Sequence, residues 1–151
     1  MALAEALVSD LIIVNGDTVN FLPTYGAAVV VPIPTTISGT ATKAKVTGKP
    51  ACLEGDEKNV QSPGCMYIAG AYVIPGTGTL KIDKLNSDQL TGKLKIQGKK
   101  VILHGSMFDA VFEVQSPAQQ PTPSGPVPDA TPKYSGGKGM FVPSNTKVHS
   151  K

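Results

Sequence analysis

The chain has 151 residues and a formal net charge of +3, enough for one domain, or for one domain and a tail. All 14 basic residues are lysine and aromatic residues make up 5% of the chain, so the arginine forks and stacking rings of a nucleic-acid binder are missing and no nucleic-acid partner is expected. No apolar run is long enough to span a membrane.

With 16 glycines and 13 prolines, the composition favours short strands joined by turns over long helices. Residues 1–7 (MALAEAL) have helical propensity but are too few for an isolated helix. The first lysine is Lys43 and Glu5 interrupts the N-terminal apolar run, so a Sec signal is not expected. LIIVNGDTVNF predicts strands at 10–14 and 17–22, joined as a hairpin through Asn15-Gly16. AAVVVPIPTTI is β-branched but punctuated by Pro32 and Pro34, which predicts an edge or irregular strand. Residues 43–56 alternate on two arms around a turn placed at Gly48-Lys49. A polar loop (57–64) precedes CMYIAGAYVIPGTGTLKID, predicted as one or two strands broken near Pro75-Gly76. KLNSDQLTG (84–92) predicts a helical turn or a loop, and MFDAVFEVQ (107–115) a last strand. From Ser116 the Pro- and Gly-rich composition predicts a tail, extended or disordered alone and ordered on a partner. Met140, Phe141 and Val142 form an apolar plug near its end. The predicted division is a β domain over 1–115 and a tail over 116–151.

KAKVTGKPACLEGD (43–56) and KLKIQGKKVILHGS (93–106) align without a gap. They share Lys43/Lys93, Lys45/Lys95, Gly48/Gly98, Lys49/Lys99, Leu53/Leu103 and Gly55/Gly105. A duplicated strand–turn–strand unit explains this better than convergence on common turn residues. Such units arrange around a pseudo-symmetry axis, because one alone cannot bury its apolar face. Residues 11–22 and 66–82 are the candidates for a third copy. The lysines read as the solvated side of these strands.

The stretch AKVTGKPACLEGDEKNVQSPGC resembles the repeating unit of PAAR and PAAR-like proteins, with Gly48, Lys49, Pro50, Ala51, Gly55 and Asp56 at the family positions. The second copy keeps Gly98, Lys99 and Gly105 but has Lys100, Val101 and Ser106 where the fuller motif has Pro, Ala and Asp. The resemblance covers residues 40–115. It implies an all-β, small conical structure of repeated strand–turn–strand units, here with a Pro/Gly-rich C-terminal extension. It also implies a structural spike tip of a contractile injection system, such as a phage-tail-like particle or type VI secretion. The implied partners are a trimeric VgrG-like or phage-spike-like protein (one copy per trimer), a transiently touched target membrane and an effector cargo. Synthesis would be in the bacterial cytoplasm, with delivery outside the cell at the tip of the particle.

Family members often close the apex with zinc held by histidines and a cysteine. Here Cys52, Cys65 and His104 are the candidate ligands, with His149 as a fourth if the tail folds back. No paired Cys or His spacing supports them, so no metal is expected and two reduced thiols are. Cys52 or Cys65 with His104, or Asp56 with Asp109, could in principle act as a catalytic pair. Nothing in the sequence brings them together, and no nucleophile elbow, P-loop or cofactor fingerprint occurs; no enzyme is expected. The competing readings are a small β-sandwich or barrel binding module of adhesin or carbohydrate-binding type, and an effector-loading adaptor.

Overall fold

The structure, a computed structural model, describes residues 11–143 except 44 and 47. The helical turn expected in 1–7 and His149 lie outside the described residues. In chain order the strands are β1 (Thr18–Phe21), β2 (Thr24–Tyr25), β3 (Ala28–Val30), β4 (Thr35–Thr36), β5 (Lys45–Val46), β6 (Lys49–Pro50) and β7 (Gln61–Ala69). They continue with β8 (Tyr72–Lys84), β9 (Leu90–Ile96), β10 (Lys99–Ile102), β11 (Phe108–Ser116), β12 (Gln119–Gln120), β13 (Val127–Pro128) and β14 (Lys133–Val142). Single 3-10 turns occupy Asp56–Asn59 and Ser87–Gln89. No helix of the described residues is long and apolar enough to cross a membrane. The fold is all-β, as expected.

Ten strands form one curled antiparallel sheet with the path β2-β3-β7-β8-β11-β14-β1-β4, to which β12 and β13 attach beside β8. The two copies of the repeat stand apart from it as small hairpins, β5–β6 and β9–β10. The larger core lies against the big sheet and gathers Val19, Phe21, Tyr25, Tyr67, Leu80, Phe108, Phe112 and Phe141. A second, smaller core holds Ile12, Val14, Ala41, Val46, Ala51, Leu53, Val101 and Leu103.

Three sequence expectations are corrected. Residues 11–14 do not form a hairpin with β1, which pairs instead with β14 and β4. The reason is burial: Leu11, Ile12, Ile13 and Val14 are all buried, and a run buried on both faces needs partners on both sides. The break in 65–83 falls at Gly70-Ala71, between Ala69 and its partner Tyr72, while Pro75 stays inside β8 where the register against β7 slips. A proline without a donor is tolerated at such an irregularity.

The third correction concerns the tail. β14 lies in the middle of the large sheet, between β11 and β1, and Phe141 is fully buried. Its glycines are sites of close packing. A Cβ on Gly137 would collide with the Tyr25 ring, and one on Gly139 with the Phe108 ring. Aromatic rings thus lie flat on a strand that has no side chains at those points.

Between β11 and β14 the chain is held by Asp129. Its carboxylate accepts from Tyr67 Oη at 2.9 Å, Tyr134 Oη at 2.6 Å and the Thr131 amide at 3.0 Å. The Asp129 amide donates to the Ala118 carbonyl, and the Ala118 amide donates to Tyr67 Oη. Burial alone would raise the Asp129 carboxyl, but the hydrogen bonds from Tyr134, Thr131 and Tyr67 outweigh it and hold the group below the ordinary aspartate value.

A carboxyl depressed in the folded state stabilises fully above its unfolded value, about 3.9, and loses that contribution as pH falls through the folded value. Asp129→Asn is therefore expected to lower the unfolding free energy by about 1–3 kcal/mol at neutral pH. The gap from the parent should close below about pH 4, as read from urea unfolding across that range.

Candidate functional site

Residues 11–15, 50–54 and 100–104 meet around one point. The Ile13 amide donates to the Ile102 carbonyl at 3.0 Å, the Ile102 amide to the Cys52 carbonyl at 2.9 Å, and the Cys52 amide to the Ile13 carbonyl at 2.9 Å. This ring of three bonds closes on itself. A second set surrounds it, each 2.8 Å long: Asn15 amide to Pro50 carbonyl, Glu54 amide to Lys100 carbonyl, and His104 amide to Leu11 carbonyl. Each segment thus bonds through its first half to one neighbour and through its second half to the other, as in a three-bladed pinwheel. The bridges Ile12↔Leu103, Val14↔Ala51 and Leu53↔Val101 repeat the same relation.

The alternation of a strand splits the side chains between the two cores. The central residues Ile13, Cys52 and Ile102 enter the large core. Their flanking neighbours Ile12/Val14, Ala51/Leu53 and Val101/Leu103 fill the small one. The third copy is therefore IIVNGD (12–17), inside the candidate stretch 11–22 and matched to ACLEGD (51–56) and VILHGS (101–106), while the other candidate, 66–82, belongs to β7 and β8. The signal that could have found it is short: an apolar triplet, a polar residue, then Gly16-Asp17 against Gly55-Asp56. Lysine-rich flanks drew attention to the other two, and 12–17 has none.

After each blade the chain turns at a glycine with positive φ: Gly16 (88°), Gly55 (107°) and Gly105 (55°). In the first two blades the following aspartate folds back and caps the amide three residues earlier. Asp17 accepts from Val14 and Asp56 from Leu53, both at 2.8 Å. Asp56 also accepts from the amide and hydroxyl of Thr40. The third blade has Ser106 instead. There the Leu103 amide donates to the Gln89 carbonyl at 2.7 Å, and Asp88 receives the amide and hydroxyl of Ser106. The 3-10 turn at 87–89, capped by Asn86, has taken over the role of the absent aspartate.

Of the residues marked by the repeat, Gly98 forms a two-residue turn with Gln97, whose φ is 56°. Lys99 is the first residue of the return strand, paired with Ile96; Lys49 stands likewise opposite Val46, just after Gly48. The second turn therefore sits one residue earlier than Gly98-Lys99, and in both copies the lysine belongs to the return strand. Gln97 ties the two hairpins together, its Oε1 accepting from the Thr42 amide at 2.7 Å and the Lys43 amide at 3.3 Å. Pro50 supplies the carbonyl that Asn15 uses.

Cys52 and Cys65 are free and buried. Burial first, then the nearby Asp56 and Asp17 carboxylates, push the Cys52 thiol far up, so it stays protonated. The Cys65 thiol donates to the Ser62 carbonyl. His104 is the last residue of the third blade, its amide bonded to the Leu11 carbonyl, and it is half-buried. Among the described residues no group of three His, Cys, Asp or Glu side chains is placed to hold a metal. Asp56 is engaged as a cap and Asp109 pairs with Lys138; they share no site.

At the other end of β7 and β8 the sheet presents an outer face the sequence reading did not single out. Val29, Val31, Met66 and Ile68 are exposed and, with Tyr67 and Pro75, line a depression of about 190 Å³. Val73 and Ile74 are exposed beside them on β8. The alternating neighbours Ala28, Val30, Tyr67 and Ala69 point inward, so this end of β3 and β7 is apolar on both faces where one polar face is usual.

The family model described as contractile injection system spike tip protein matches residues 8–151. No curated protein matches the chain.

Asp56→Ala strands the Leu53 amide inside the small core, with an expected loss of about 2–3 kcal/mol in urea unfolding. Ser106→Asp, which makes the third blade conform to the other two, is expected to destabilise in urea unfolding, because the Gln89 carbonyl already takes the Leu103 amide and the new carboxylate would face Asp88, which now accepts from the Ser106 hydroxyl.

Proposed function

Because the chain belongs to the contractile injection system spike tip family, we propose that its pinwheel end is the seat by which one copy caps a trimeric β-helical spike, and that the aliphatic end of β7 and β8 leads into the target membrane. The observation that carries this is the closed ring of Ile13, Cys52 and Ile102. A trimer presents three identical chain ends around its axis. A single polypeptide meets all three on equal terms only if it repeats one backbone arrangement three times about the same axis. Its family role is structural: it assembles into the injection particle and works by shape and surface, not by bond-making.

The two ends have opposite character. The hairpins β5–β6 and β9–β10 overlie the small core and expose Lys45, Lys49, Lys95 and Lys99, a cationic rim suited to acidic chain ends of a partner. β7 leaves the second blade through the turn at 56–59 and runs nine residues, about 30 Å of extended strand, to the hairpin end at Gly70-Ala71. Aliphatic side chains there gain free energy on leaving water for lipid, and they suit a point that touches a bilayer. The cargo of such a particle, if attached to the tip, is left to the surface between these ends.

Copurification with the cognate spike should recover one chain per spike trimer. Lys49→Glu combined with Lys99→Glu should weaken that association about tenfold or more. Val29→Asp combined with Val73→Asp should leave the spike association in place and abolish flotation with phospholipid vesicles. A chain that ignores the spike, or a spike bound equally well by the lysine variant, contradicts the docking reading.

A further inference from the structure

A trimeric partner uses what the three blades share; a partner present once per particle needs a surface that exists once. The third blade supplies such a surface, and this step rests on the docking reading above. Lys100 stands where the other blades carry Leu11 and Pro50, and the 3-10 turn at 87–89 occurs only beside it. Between this blade and the large sheet lies a groove of about 520 Å³. Leu85, Leu90 and Met107 give it an apolar floor, and Lys84, Lys100, Lys138 and Asp109 line it.

The charges follow from register. Asp109 on β11 faces Lys84 on β8 and Lys138 on β14 across the sheet. Its carboxylate is taken by the Lys138 ammonium. Lys84 and Lys100 have no carboxylate partner among the described residues. Three lysines against one aspartate leave the groove at +2. Met107 is 38% exposed, so an apolar contact is open beside the two unpaired ammonium groups.

We propose that this groove is a docking site for an acidic peptide segment of a single partner polypeptide, its carboxylates on Lys84 and Lys100 and an aliphatic side chain against Leu90 and Met107. The pairing is specific in sign and in kind: an anion alone satisfies the lysines and leaves the floor wet, and an aliphatic segment without charge leaves two ammonium groups facing it. Peptide binding at a tip surface clear of the spike seat would let the particle carry one attached chain.

The test uses the full chain without spike. A labelled peptide alternating Glu and Leu is titrated by fluorescence anisotropy, with Lys–Leu and Glu–Ser peptides alongside. Binding of the Glu–Leu peptide alone, weakened by added salt and by about tenfold or more in Lys84→Glu/Lys100→Glu, supports the proposal. Lys84→Gln/Lys100→Gln, which introduces no repulsion, should give a smaller loss in the same direction and guards against a misfolded charge-reversal variant. Equal binding of the parent and both variants overturns it. So does equal binding of the Lys–Leu peptide, or displacement of the Glu–Leu peptide by inorganic phosphate or by phosphatidylglycerol vesicles as readily as by unlabelled peptide. A chain that takes the peptide in this way yet ignores the trimeric spike sinks the docking reading and leaves the groove.

Discussion

Three backbone hydrogen bonds, Ile13 to Ile102 to Cys52 and back to Ile13, fix how the rest of the chain is arranged. Each is worth about 1 kcal/mol net, but their closure matters more than their sum. A ring leaves no edge: every blade has its donors and acceptors met on both sides, deep inside the protein where an unmet amide is costly. It also forces three stretches, from near the beginning of the chain and from about one third and two thirds along it, to be present together.

The ring divides the interior. Side chains at the centre of each blade enter the large core and their neighbours enter the small one, so the pinwheel is a partition with both faces dry. Around it the symmetry is kept where backbone is concerned and relaxed where side chains are. Two blades use an aspartate three residues on to satisfy an inward amide; the third uses the carbonyl of Gln89. The substitution preserves the hydrogen bond and changes the outside of the molecule, because the turn that carries Gln89 also walls the lysine-lined groove. Approximate threefold order and a single distinct surface thus come from one local exchange.

The large sheet gives the pinwheel its length and its second end. β14 joins β11 to β1 only because Gly137 and Gly139 leave room for the rings of Tyr25 and Phe108. The chain between β11 and β14 is pinned by Asp129 under Tyr67 and Tyr134. What reads as a polar, proline-rich tail is thereby tied to the aromatic core through one carboxylate.

Alternation, glycine and β-branched residues were enough to determine the all-β class, the two hairpins at 43–56 and 93–106 and the strand after Met107, because these depend on neighbours in sequence; residues 84–92 stayed open between a helical turn and a loop. The match between Gly48, Pro50, Gly55 and Asp56 and the repeat of a known family was likewise legible, since turn geometry restricts residue type. The third blade was legible only as one of two candidate stretches, 11–22 and 66–82, and the choice between them was not. IIVNGD shares only its apolar triplet and Gly-Asp with the others, and a local reading gives that stretch to a hairpin with 17–22. Nor could composition assign β14, whose glycines matter only when rings from residues 25 and 108 lie over them. The turn register slipped by one residue for a similar reason: Gln97 adopts a positive φ that its type does not advertise, held where its side chain reaches Thr42. Local chemistry decides which segments extend and where they turn. Which amide meets which carbonyl across ninety residues is decided by the requirement that a buried ring close, and no window of sequence contains all three of its members.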